Sequence, residues 1–182
     1  MAAEAEDTPV SVPLEWLPWH EGARMHVVTA LEGGRLPHGL LLHGPDGVGK
    51  ERFAGVLAAG LFCRQRVAGI TPCGSCPECA LSRAGSHPDL HWLRKPEDKK
   101  SIGVDQVREA CDELAMTSMR GGYRVAIITP ANIMTIAAQN ALLKTLEEPA
   151  PRTLLVLVTA RPSQLLPTLR SRCQRVEVPR PP

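Results

Sequence analysis

The sequence predicts an α/β domain in which a parallel sheet carries helices on both faces. Three observations point to it. Short apolar runs of strand length alternate with segments whose apolar residues recur every three or four positions, the order of strand, crossover helix and next strand. Two of the runs, Val125-Ala126-Ile127-Ile128 and Leu154-Leu155-Val156-Leu157-Val158, contain no polar residue, so both of their faces must be covered. The run Leu40-Leu41-Leu42-His43 leads directly into Gly44-Pro45-Asp46-Gly47-Val48-Gly49-Lys50, a glycine-rich loop of the kind that joins a strand to a helix around phosphate.

Taken in order, residues 1 to 15, with Pro9 and Pro13, read as a flexible tail, and the domain is expected to begin near Leu17-Pro18-Trp19. Ala23, Val27, Val28 and Leu31 recur at helical spacing from His20 to Leu31, and Gly33-Gly34 ends the pattern. A buried strand is expected over Gly39 to His43. The helix after the glycine loop places Phe53, Val56, Leu57, Leu61 and Phe62 on one side. Residues 63 to 81 form a cysteine-rich excursion, followed by a short strand, Leu90 to Leu93, and an exposed charged loop, Arg94 to Lys100. Val104, Val107, Ala110, Cys111, Leu114 and Ala115 mark a further helix, with Asp105 suited to the positive end of its dipole. A strand over Arg124 to Thr129 ends at Pro130. A helix capped by Thr135 runs to Glu148, where Pro149 and Pro151 forbid continuation. The strand Thr153 to Thr159 follows, then a short helix capped by Ser163 through Leu169, and a last strand over Arg175 to Val178.

Composition narrows the class. The 182 residues suffice for one domain with a substantial core and a small appendage. With 43% apolar, 22% charged and 3% aromatic residues, that core rests on Leu, Val, Ile and Ala. A net charge of +2 identifies no partner, but beyond Pro151 six arginines face the single acid Glu177, which fits either a phosphate-facing surface or a solvated face. The start carries Glu4, Glu6 and Asp7 with no apolar segment, unlike a secretory signal, and no apolar run approaches the roughly 20 residues of a membrane span. A cytoplasmic protein is expected, and there a cysteine cluster reads as metal binding.

Three motifs carry chemistry. In the loop, Gly44, Gly47 and Gly49 free the backbone to close on phosphate oxygens, and Lys50 is placed to reach the terminal phosphates. The next position should offer a hydroxyl to Mg²⁺ but is Glu51, and the strand that should end in metal-holding and water-polarising acids ends in Thr129-Pro130. Hydrolysis is therefore not expected. Second, Cys63, Cys73, Cys76 and Cys79 supply four thiolates, a set that closes a tetrahedral zinc site of structural type. The Cys-Pro that ends a ferredoxin run is absent. Third, Ser171-Arg172-Cys173 holds an arginine that is either solvated or aimed at a neighbouring subunit's nucleotide, and spacing does not choose between these.

Together these residues resemble the delta prime family of bacterial DNA polymerase III clamp-loader subunits. The likeness rests on Pro37-His38-Gly39-Leu40-Leu41-Leu42-His43-Gly44-Pro45, the cysteine module, Asn140-Ala141-Leu142-Leu143-Lys144-Thr145-Leu146-Glu147-Glu148-Pro149, and Ser171-Arg172-Cys173. It implies a five-stranded AAA+ P-loop core over residues 16 to 178. It also implies a zinc module inserted at 63 to 81 on Cys63, Cys73, Cys76 and Cys79, and an arginine finger, Arg172, acting in trans. Residues 179 to 182 would begin a linker toward lid and collar domains. The implied role is a non-hydrolysing subunit of the DNA polymerase III holoenzyme that helps load the sliding clamp onto primed DNA. Its partners would be the ATPase motor subunits and delta, with clamp and DNA reached through the complex and no membrane involved. Structural Zn²⁺ is expected, Mg²⁺ is not, and for the degenerate loop weak ATP binding and an empty loop both stay open. The other readings are an active AAA+ clamp-loader ATPase and a zinc-containing nucleic-acid-binding protein that uses the arginine-rich end.

Overall fold

Period-two alternation along the strands sorts the side chains onto two faces of one sheet. The computed structural model describes residues 10 to 182, so the first nine residues of the expected tail lie outside the described residues. Five strands, β1 (Gly39–His43), β2 (Leu90–Leu93), β3 (Arg124–Ile128), β4 (Thr153–Thr159) and β5 (Gln174–Glu177), pair in the order β2-β3-β4-β1-β5, all parallel. Leu40, Leu42, Val125, Ile127, Leu154, Val156 and Val158 face one core, closed by α1 (Glu21–Glu32) and α2 (Lys50–Phe62). Their neighbours Leu41, Ala126, Ile128, Leu155 and Leu157 face the other, closed by α4 (Val104–Ala115) and α5 (Ile136–Glu147). Every residue of β3 and β4 is buried: the apolar runs Val125–Ile128 and Leu154–Val158 as their sequence requires, and Arg124, Thr153 and Thr159 at the strand ends with them. Each large aliphatic side chain there contributes about 1.5–3 kcal/mol relative to exposure.

The helices start and stop for local reasons. Thr135 caps α5, its hydroxyl accepting from the Ala138 amide at 3.1 Å, and the helix ends before Pro149. A 3-10 turn, Pro18–His20, precedes α1, so the α-helix proper begins one residue later than the spacing suggests. Ser163 does not cap the short helix. It lies inside a 3-10 turn, Pro162–Gln164, and α6 (Pro167–Arg170) starts separately, with Pro167 in its first turn. β5 sits one residue earlier than expected because its register is set by β1, Leu40 opposite Gln174 and His43 opposite Glu177. Val178 still donates to His43 O at 2.8 Å.

The excursion between α2 and β2 contains a helix of its own, α3 (Pro77–Ala84), begun by Pro77 after Cys76. Part of the expected tail is packed against it. Val12 is 1% exposed and donates its amide to Ser82 O, and the Ser11 hydroxyl donates to Arg83 O at 2.7 Å. Burying Val12 and the partly buried Leu14, which lies against the cysteines, gives the segment its apolar anchor.

Candidate functional site: an altered phosphate loop, a cysteine cluster and a held arginine

Because β1 ends at His43, the glycine loop emerges at the carboxyl edge of the sheet, where parallel sheets bind ligands. Gly49 adopts φ +83° as the residue before α2, a left-handed conformation that side chains disfavour. At Gly44 the limit is space, since a Cβ would lie 2.2 Å from Val178 O. The loop is held from behind by the Pro18–His20 turn: Trp19 Nε1 donates to Val48 O at 2.9 Å, and His20 Nε2 lies 3.2 Å from the same oxygen. Lys50 is 8% exposed and donates back to Pro45 O. Burial lowers its pKa, opposed by the charges of Asp46 and Glu51.

Glu51 occupies the position where a metal-binding hydroxyl is expected, and it is engaged. Thr129 Oγ1 donates to Glu51 Oε1 at 2.8 Å, and Arg94 Nη2 pairs with Glu51 Oε2 at 2.8 Å. Two positions expected to handle metal thus bind each other, with a guanidinium neutralising the carboxylate. Neither the Glu51–Thr129 bond nor the role of Arg94 was legible in the sequence. Arg94 read only as the first residue of a charged loop, and Thr129 only as a missing acid.

Cys63, Cys73, Cys76 and Cys79, separated by up to sixteen positions in the chain, bring their sulfurs within 4.8 Å of one another. The Cys73–Cys79 and Cys63–Cys76 sulfur pairs are 4.0 and 3.9 Å apart. A tetrahedron with Zn–S bonds of about 2.3 Å has edges of about 3.8 Å, so the four thiols fit such an ion with small adjustment. Amide and hydroxyl hydrogen bonds from Ser75 bring the Cys73 pKa down to about 6, whereas burial raises that of Cys79 to about 12. The module is tied to the body by buried polar groups around a cavity of about 420 Å³. Glu78 accepts from Arg120 Nη2 at 2.8 Å and meets His87 Nε2 at 3.1 Å, and His87 stacks on Phe62 with ring centroids 3.8 Å apart. Asp89, fully buried, accepts from the Ser118 hydroxyl and from the Met119 and Arg120 amides at 2.8 to 3.0 Å.

Arg172 lies between α6 and β5. Since Gln174 is level with Leu40, Arg172 is at the amino edge of the sheet, roughly 20 Å along the strand direction from the glycine loop. The structure therefore does not bring the two into one site. Arg172 Nε and Nη2 both bind Glu147 Oε1, at 2.8 and 2.6 Å, and Nη1 donates to Thr168 O at 2.8 Å. The sequence offered Glu147 only as part of a helix end, with no sign of this pairing.

Residues 19–182 match the family model described as DNA polymerase III, delta subunit. The chain is 46% identical over 151 residues to DNA polymerase III subunit delta′ of Pseudomonas aeruginosa, a match covering 82% of this chain and 46% of that protein. The chain belongs to the DNA polymerase III delta prime family. Another delta prime relative, from Escherichia coli, is 40% identical over 161 residues, covering 88% of this chain and 48% of its own. This delta prime family member thus spans about half the length of the curated relatives it matches. Among solved structures, a gamma subunit-related protein of Thermotoga maritima superposes with a TM-score of 0.56 at 24% identity, over 85% of this chain and 46% of that one. The branch migration motor RuvB of the same organism gives 0.50 at 19% identity, over 88% and 43%. These two establish the shared fold, the AAA+-like sheet with flanking helices. Among the described residues, no helix is long and apolar enough to cross a membrane.

Proposed function

We propose that this chain is a clamp-loader subunit that does not hydrolyse ATP itself and lends Arg172 to the nucleotide of a neighbouring ATPase subunit, in a cytoplasmic assembly that places the sliding clamp on primed DNA. The observation that carries this reading is the Glu51 carboxylate, paired with Arg94 and Thr129, where catalysis needs a metal-binding hydroxyl. A carboxylate there is like-charged to a terminal phosphate. With both of its oxygens already engaged by Arg94 and Thr129, it offers no hydroxyl to Mg²⁺, which supports a loop that does not run metal-assisted hydrolysis. Arg172 lies at the far edge of the sheet from its own loop, which supports service in trans over service to that loop. A guanidinium so placed neutralises charge on a transferring phosphoryl group. Motor subunits and delta would be the partners, with clamp and DNA reached through them.

The four cysteines would hold a structural zinc ion. With four protein ligands the ion has no open coordination position and supplies a cross-link that ties α3 to the end of α2.

In the assembled complex, Arg172→Ala is expected to lower DNA-stimulated hydrolysis about tenfold or more while leaving this domain folded; unchanged hydrolysis would remove the finger. The isolated chain with Mg²⁺ and ATP is expected to give no turnover, and measurable turnover would favour an active motor subunit instead. Salt-sensitive DNA binding by the isolated chain would favour a nucleic-acid binder.

A further inference from the structure

We infer that Glu147 is the positioning residue for Arg172, gripping the guanidinium from the side so that its outer edge stays open to a phosphate of the adjacent subunit. This rests on the trans role proposed for Arg172.

The hydrogen-bond pattern gives the first argument. A guanidinium has five N–H donors. Glu147 Oε1 takes Nε and one hydrogen of Nη2, and Thr168 O takes one hydrogen of Nη1. One N–H on each terminal nitrogen is left without a partner among the described residues, and both are donors that phosphate oxygens can take. The Arg172 side chain is 36% exposed, so it is open to a group approaching from outside this chain.

The placement of Glu147 gives the second. It is the last residue of α5, where the helix dipole disfavours an anion. Its position therefore works against the helix, and the pairing with Arg172 offsets that cost. The third argument is the fixed backbone around the arginine. The Ser171 hydroxyl donates to the same Thr168 oxygen at 3.0 Å. Cys173 is 8% exposed, and a Cβ on Gly39 would lie 3.1 Å from its sulfur. With the main chain immobilised on both sides and the head group gripped laterally, the remaining rotamer freedom of a long side chain is removed before the neighbour arrives. Such preorganisation acts on the rate of the chemical step more than on nucleotide affinity.

The test uses the whole native chain assembled with its motor subunits, reading DNA-stimulated hydrolysis. Glu147→Ala is expected to lower kcat about tenfold with KM for ATP unchanged. Glu147→Gln keeps an oxygen that accepts from Nε and Nη2, and is expected to retain more than half of the rate. Adding Glu147→Ala to Arg172→Ala is expected to cost nothing further. Unchanged or raised kcat in Glu147→Ala would overturn the inference, as would an equal loss in Glu147→Gln or an additive loss in the double variant. The Glu147 side chain is 49% exposed, so folding is expected to tolerate these changes, and Glu147→Ser gives a second lateral deletion with the unfolding midpoint as control. If Arg172→Ala itself leaves hydrolysis intact, the finger reading falls. If Arg172→Ala is slow and Glu147→Ala is not, the positioning role alone falls.

Discussion

Replacing Asp89 by Ala tests how the cysteine module is tied to the domain. The Asp89 carboxylate is fully buried and accepts three hydrogen bonds, from Ser118 Oγ at 2.8 Å, Met119 N at 2.9 Å and Arg120 N at 3.0 Å. Arg124, 4% exposed, lies 3.9 Å away and pairs also with Glu113. Removing the carboxylate strands two amides and a hydroxyl and takes one counterion from a buried guanidinium. Deleting one partner of such a buried network costs about 3–5 kcal/mol, and the second acid beside Arg124 argues for the lower half of that range. The 117–122 segment would loosen, and with it Arg120, whose guanidinium holds Glu78 on α3. Urea unfolding followed by tryptophan fluorescence reads the loss as a lower midpoint at unchanged slope. The pH dependence supplies a second check. Burial alone would raise the Asp89 pKa, but the Met119 amide, the Ser118 hydroxyl and the Arg120 amide outweigh it and leave it below the ordinary value. A carboxylate whose folded pKa is depressed stabilises above its unfolded pKa, near 4, and that contribution disappears as pH falls through the folded value. Asp89→Ala should therefore lose stability at pH 7 but less on acidification below pH 4 than the native chain. An unfolding free energy within about 0.5 kcal/mol of native, the limit for a neutral surface change, would refute the account.

Other outcomes follow from the same structure. Purified protein is expected to carry about one zinc per chain, and Cys79→Ser to lose it, as measured by elemental analysis. Titrating zinc into metal-free protein near pH 7 should release protons, read with a pH indicator, because burial holds Cys79 protonated to about 12 while Cys73, at about 6, is already ionised. Acidification should reverse the loading. At the loop, Glu51→Thr combined with Thr129→Asp restores a hydroxyl and an acid where Mg²⁺ needs them, and is expected to bind a non-hydrolysable ATP analogue more tightly than the native chain does, in a Mg²⁺-dependent manner. Equal binding by both chains, with or without Mg²⁺, would show that Glu51 is no barrier.

The elements were legible wherever a local rule governs them. The apolar runs of β3 and β4, the Thr135 cap and the proline stop after α5 depend on neighbours within one turn or one strand. The shortfalls have the same root. The register of β5 is set by β1, more than a hundred residues earlier, and α3 went unseen because Pro77 and the closely spaced cysteines mask the short apolar spacing that would reveal it. Val12 read as tail because its burying partners, among them Gly55 on α2, are remote in sequence.

For the site, sequence by itself determined the inventory: a phosphate loop without its metal ligands, four cysteines able to close a metal site, and an arginine flanked by Ser171 and Cys173. These are matters of residue type and spacing. Tertiary structure decided what each group meets. It joined Glu51 to Thr129 across 78 positions, set Arg94 against the same carboxylate, placed Arg172 at the opposite edge of the sheet from the loop, and gave it Glu147 as a lateral clamp. The physical reason is that periodicity encodes which face a residue takes, whereas the partner opposite that face is chosen by sheet order and crossover. In the order β2-β3-β4-β1-β5, the end of β3 comes close enough to the start of α2 for a hydrogen bond, and the end of α5 comes close to the approach to β5.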